Sequence, residues 1–166
     1  MPASPSDLFA YLDDLGIAHT TVQHAATFTV EEGRHLKSTM PGGHTKNLFM
    51  KDKDGAIVLI SAWAESQLKL NQLHKLIETR RLSFASADLM QDVLGIVPGS
   101  VTAFALMNDT QCRVRFIADR RLMAFDEVNF HPLVNTATTR ISSDDLRLFV
   151  EATGHSLTEV DFSSLL

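Results

Sequence analysis

Cysteine is almost missing from this 166-residue chain, where Cys112 stands alone. One thiol builds neither an intrachain disulfide framework nor a cysteine-based zinc site. It falls in the alternating run Cys112-Arg113-Val114-Arg115-Phe116, read here as a strand, and a buried structural thiol is its expected role. Long apolar runs are also lacking, so nothing approaches the roughly 20 residues of a membrane-spanning helix. The first ten residues carry no basic segment followed by an apolar stretch, and a cytoplasmic protein without membrane contact is expected. Positive charge is in deficit: 15 Lys and Arg against 20 Asp and Glu leave a net charge of -5. That balance argues against a protein that coats duplex nucleic acid by bulk charge. It leaves room for a local basic patch from Arg80-Arg81, Arg113, Arg115, Arg120-Arg121 and Arg140. The Walker loop, the dinucleotide fingerprint and His-Glu-x-x-His are all missing. The seven histidines form no close pair at metal-ligand spacing, and neither a metal nor another cofactor is expected.

Apolar residues make up 45% of the chain and charged residues 21%. These proportions describe an ordinary globular protein, long enough for one domain over residues 1–166 with a sizeable core. Ser4-Pro5-Ser6-Asp7 opens a helix with cap, proline and acid in order, and Gly16 stops it. Ile17 to His24 alternates as a short strand, and Thr29-Val30-Glu31-Glu32 starts a second helix towards Lys37. Asn47 to Lys51 reads as a strand, turned at Asp52-Lys53-Asp54-Gly55 into the continuous apolar run Ala56 to Ala62. Continuous hydrophobicity predicts a central strand buried on both faces. Leu70, Leu73, Leu76 and Ile77 share a helical face, Leu82-Ser83-Phe84 is a short strand, and Ser86 caps a helix ending at Gly95. A strand is expected at Cys112 to Ala118, followed by a polar turn at Asp119-Arg120-Arg121, and further strands at Val128 to Pro132, Thr136 to Ile141 and Val160 to Phe162, with a last helix capped by Ser142. Hairpin turns alongside crossover helices predict a single α/β (α+β) domain: a mixed β-sheet flanked by helices.

Three segments rich in chain-breaking residues carry candidate chemistry. In Pro41-Gly42-Gly43-His44-Thr45-Lys46-Asn47 an irregular loop delivers a cation and an amide to the mouth of a strand. Lysine is a point charge suited to phosphate, and asparagine both donates and accepts. A second such loop, Pro98-Gly99-Ser100-Val101-Thr102, leads into apolar sequence. The third is His131-Pro132, where an imidazole at a strand end can act as donor or proton shuttle. Each also has a plain reading, as a solvated turn or as a histidine bonded to a backbone carbonyl.

Taken together and in this order, these segments resemble the YbaK/prolyl-tRNA-synthetase-associated editing domain family over nearly the whole chain. Within it they are most similar to the free-standing deacylases of alanyl-tRNA(Pro). The resemblance implies an aminoacyl-tRNA hydrolase, acting on the tRNA(Pro) acceptor end, with prolyl-tRNA synthetase as a candidate partner. It implies Lys46 on phosphate of the terminal adenosine, Asn47 near the substrate amine or ester, and His131 in the aminoacyl pocket. The family loop Gly-x-x-x-Pro matches Gly99-Ser100-Val101-Thr102-Ala103, with alanine in place of the proline. Backbone N–H groups of Gly99, Ser100 and Val101 are then expected at the reacting carbonyl, with Thr102, Ile60 and Phe49 as candidate pocket residues. An activated ester needs no strong protein nucleophile, so attack by water or the ribose 2′-OH without a metal is the expected mechanism. A deacylase of cysteinyl- or seryl-tRNA, and a non-catalytic module that binds an RNA end, are the alternatives.

Overall fold

The computed structural model describes residues 1–26 and 29–165. The chain runs α1 (Pro5–Asp14), β1 (Thr20–Gln23), α2 (Val30–Thr39), β2 (Gly43–Lys51), β3 (Ile57–Trp63), a 3-10 turn (Leu70–Gln72) and α3 (His74–Ile77). It continues through β4 (Ser83–Phe84), α4 (Ala87–Leu94), a 3-10 helix (Ala103–Asn108), β5 (Val114–Asp119), α5 (Arg120–Met123) and β6 (Glu127–Phe130). Last come β7 (Ala137–Ser142), α6 (Ser143–Ala152), β8 (Leu157–Val160) and a final 3-10 turn (Phe162–Leu165). The strands form one sheet in the order β1-β7-β6-β2-β3-β5-β8, with β4 also paired to β2. The pairs β2–β6, β3–β5 and β5–β8 are parallel and the others antiparallel. The mixed α/β architecture expected from the sequence is the one observed.

Local chemistry sets the helix starts. Ser4 accepts from the Asp7 N–H while Asp7 accepts from the Ser4 N–H, and Thr29 and Glu32 do the same for α2. Ser86 and Ser142 cap α4 and α6. Val58, Leu59 and Ile60 of β3 are fully buried because each face of the sheet is covered. On one face Phe49, Leu59 and Phe116 pack with Leu8, Leu12, Phe104 and Phe149. On the other, Met50, Val58, Ile60 and Ile117 pack with Leu73, Ile77, Leu82 and Phe162.

Four local expectations need correction. The final strand, expected at Val160 to Phe162, runs over Leu157–Val160, and Phe162 opens a 3-10 turn. The strand expected from Asn47 begins earlier, at Gly43, because Gly43 and His44 already pair with Val128 and Asn129 of β6. Cys112 is exposed, not buried. It precedes β5 and has φ +52, so it belongs to the turn that reverses the chain. The Asp119-Arg120-Arg121 turn is the capped start of α5, with Asp119 accepting from the Arg121 N–H.

β2 is where the sheet changes character. β6 pairs with it only at Gly43 and His44, and β4 only at Met50 and Lys51. Along Thr45 to Leu48, therefore, that edge of β2 has no strand beside it among the described residues. A slot opens where β2 and β6 part. Gly42 fixes the entry angle: its φ is +103, and a Cβ there would sit 2.5 Å from the Glu127 carbonyl oxygen. Gly42→Ala meets both backbone strain and a backbone clash. It is expected to cost about 3 kcal/mol, readable as a lowered urea midpoint at unchanged slope.

Candidate active site

Strand alternation divides the two residues of the Lys-Asn pair. Thr45, Asn47 and Phe49 face the helix-covered core, whereas Lys46, Leu48 and Met50 face the other side. Asn47 is held at both ends: its Oδ1 accepts from Ser61 Oγ at 2.5 Å and its Nδ2 donates to Thr45 Oγ1 at 3.2 Å. Thr45 Oγ1 donates to the Asn129 carbonyl at 2.7 Å, the last link between β2 and β6 before they separate. Lys46 reaches past the end of β3 and donates through Nζ to the Ser66 carbonyl. Ser66 Oγ in turn donates to Asp119 Oδ2 at 2.5 Å. Asp119 is fully buried and also accepts from the Trp63 and Arg121 N–H groups, each at 3.0 Å. One side chain thus ties together the end of β3, the turn that holds Lys46, and α5.

A cavity of about 170 Å³ occupies the slot, with Thr45, Asn129, His131, Thr138, His44 and Ala64 in its wall. It is well below the roughly 300–1,000 Å³ of sites for drug-sized ligands. His131 Nδ1 donates to the Ala137 carbonyl at 3.1 Å, which leaves Nε2 as the basic nitrogen of the neutral ring. Burial holds the His131 pKa below its usual 6.5 against the raising effect of the Ala137 carbonyl, and nearby His24 adds to the depression. His44 is depressed as well, by burial first and by Lys37, against the carbonyl of Met40.

Both imidazoles are therefore more readily protonated in the unfolded chain than in the folded one. Their stabilising contribution is complete above pH 6.5 and is lost as the pH falls from there through the folded-state values. The stability gap between wild type and His131→Asn is expected to narrow as the pH drops from 7.5 to 5.5. Urea unfolding of both proteins across that range measures it, and a constant gap would show that His131 is not depressed.

The glycine loop approaches from another direction. Gly99 has φ +93, and a Cβ there would lie 3.5 Å from Asn135 Nδ2, which sets the loop against the segment that follows His131. Ser100 is buried, and its N–H donates to the Val97 carbonyl at 3.1 Å. Thr102 is buried and caps the 3-10 helix by accepting from the Phe104 N–H. Ala103, in the position of the family proline, is the first residue of that helix, a position whose backbone suits the fixed φ of proline. Val101 packs at the edge of the main core.

Of the residues singled out in the sequence, His131 lies in the cavity wall. Asn47 is one hydrogen bond from it through Thr45, and Lys46 bonds to the turn that contributes Ala64. Gly99, Ser100, Val101 and Thr102 stand beyond the wall. Phe49 lies in the main core, and Ile60 in the second core on the Lys46 side of the sheet. Thr45, Thr138 and Asn129 were not singled out. Thr45 could have been found by its place before Lys46-Asn47, and Asn129 by strand spacing from His131. Thr138 carries no sequence signal. The arginines do not gather into one patch: Arg80 pairs with Asp54, Arg113 with Asp92 and Arg140 with Glu127, while Arg115 donates to the Ile77 carbonyl. Arg121 lies over the Trp63 ring at 4.6 Å, with Phe125 at 5.5 Å from that ring.

Residues 24–149 match the model of the aminoacyl-tRNA editing domain, and the chain belongs to that family. Prolyl-tRNA editing protein ProX of Acetoanaerobium sticklandii is 32% identical over 155 residues, covering 93% of this chain and 94% of the relative. Prolyl-tRNA synthetase associated domain-containing protein 1 of Danio rerio is 34% identical over 152 residues, covering 90% and 83%. Among solved structures, one described as a candidate trans-editing enzyme for prolyl-tRNA synthetase superposes with a TM-score of 0.70. It shares 17% identity and covers 97% of this chain and 99% of the other, a likeness of fold.

Proposed function

We propose that this chain hydrolyses, in trans, the ester that joins alanine to tRNA(Pro). The observation that carries the reading is the small cavity at the parting of β2 and β6, bordered by His131 and linked through Thr45 to Asn47. Its volume of about 170 Å³ suits a short aminoacyl group, and excluding a bulkier one by clash is the easier kind of selectivity. In this reading Lys46 leaves the Ser66 carbonyl to anchor phosphate of the terminal nucleotide. Asn47 orients the ester, and His131 borders the aminoacyl side. A water or the ribose 2′-OH attacks the carbonyl, and the backbone N–H groups of Gly99 and Val101 take the charge that develops on its oxygen, that of Ser100 being bonded to the Val97 carbonyl. Trp63, with Arg121 over its ring, offers a stacking face for an unpaired base of the acceptor end.

Following ester loss from alanyl-, cysteinyl- and seryl-tRNA(Pro) with purified protein tests this. Alanyl-tRNA(Pro) is expected to be cleared fastest, at a rate unchanged by a metal chelator. Faster loss of cysteine or serine would reassign the substrate. No loss from any of the three would leave a module that binds an RNA end.

A further inference from the structure

Asn129 stands in the cavity wall as a side chain with one end committed and the other unused. The residue is 2% exposed. Its Nδ2 donates to the carbonyls of Pro41 at 3.2 Å and Gly43 at 3.3 Å. These two contacts fix the orientation of the amide, since the reverse orientation would press its oxygen against two carbonyl oxygens. Oδ1 is consequently a buried acceptor with no hydrogen-bond partner. A buried polar atom left unmatched is costly, and in a native fold it calls for an explanation. Asn47 presents the opposite case: both ends of its amide are already engaged, by Ser61 and Thr45.

Asn129 lines the cavity, and its unmatched acceptor points to a donor brought by the ligand. At about 170 Å³ the cavity accommodates a short aminoacyl group. The N–H donor that such a group carries is its α-ammonium. A carbonyl oxygen facing a cation makes a charge-assisted hydrogen bond, stronger than one between neutral groups. The titratable neighbours are compatible with a cation there: the His131 and His44 rings are held towards the neutral form by burial, and Lys37 is exposed to solvent at the rim.

We propose that Asn129 Oδ1 receives the α-ammonium of the aminoacyl group and so selects esters of α-amino acids over esters that lack the amine. This rests on the deacylase reading of the same cavity. The test compares alanyl and propionyl esters of one RNA acceptor-stem helix, each rate expressed as acceleration over uncatalysed hydrolysis. Wild type is expected to favour the alanyl ester at least tenfold, and Asn129→Ala to reduce that preference to about threefold or less. Should Asn129→Ala fail to fold, Asn129→Ser reads the same ratio, because its shorter hydroxyl can still donate to a neighbouring carbonyl. A merely structural role for Asn129 would slow both esters alike and leave the ratio intact. An intact ratio in the folded variant overturns the proposal, as does equal acceleration of the two esters by wild type. Hydrolysis of neither ester by wild type would instead remove the deacylase reading on which it stands.

Discussion

Replacing Lys46 by alanine is expected to lower kcat/KM for alanyl-tRNA(Pro) by at least about a hundredfold, with little change in stability. The loss follows from positioning: a cation that fixes one phosphate of a long substrate orients the ester at its other end, and a small misplacement there is costly to the rate. The small effect on stability follows from where the ammonium rests. Lys46 is half-buried, and the one hydrogen bond of its ammonium among the described residues is to the carbonyl of Ser66, which lies in a turn. Lys46→Arg keeps the charge but spreads it over a planar fork, and it should restore only part of the rate. Single-turnover hydrolysis with protein in excess over substrate but below saturation gives kcat/KM, and thermal unfolding of each variant gives the stability separately. A Lys46→Ala protein with unchanged kcat/KM would remove the anchor role.

Asp119→Ala is expected to lose about 3 kcal/mol or more of stability. Asp119 is fully buried, and its loss leaves the Trp63 N–H, the Arg121 N–H and the Ser66 hydroxyl without their acceptor. Each unsatisfied buried donor costs roughly 1–3 kcal/mol. α5 loses its cap at the same time, for about another 1 kcal/mol. Denaturant titration reads the stability. Because Ser66 is the resting partner of Lys46, the folded fraction of this variant should also hydrolyse ester more slowly than wild type. Full activity in that fraction would show that the turn after β3 does not position Lys46.

What could be read from the sequence depended on whether the cause was local. The capping residues Ser4, Thr29, Ser86 and Ser142 carry their own chemistry, and the helices start beside them. The continuous apolar run of β3 announced a strand buried on both faces, because adjacent side chains of a strand alternate between two faces and here both are covered. Residues whose role is set by distant partners were not legible. Gly43 and His44 looked like loop because their pairing strand lies more than eighty residues away. Asp119 looked like part of a polar turn, and nothing nearby in sequence reveals that it binds the end of β3 and a turn beyond it. Lys46 and Asn47, adjacent in sequence, lie on opposite faces of the sheet, and the ammonium is tied to the turn after β3, which contributes Ala64 to the cavity wall. Asn129 was hidden in a strand, where a lone asparagine reads as one of the alternating residues.

The parting of β2 from β6 separates what the pocket admits from what keeps the protein folded. The strands are tied by main-chain pairing at Gly43 and His44 and by the Thr45 bond to the Asn129 carbonyl. The cavity wall beyond that junction is contributed by side chains from α2, β2, β6, β7 and the turn after β3. Apart from Thr45 and Asn129, whose side chains bond across the junction, single substitutions at those positions can reshape the space while leaving the strand pairing untouched. A scaffold of this kind can drift from one small amino acid to another in steps that each leave a folded protein.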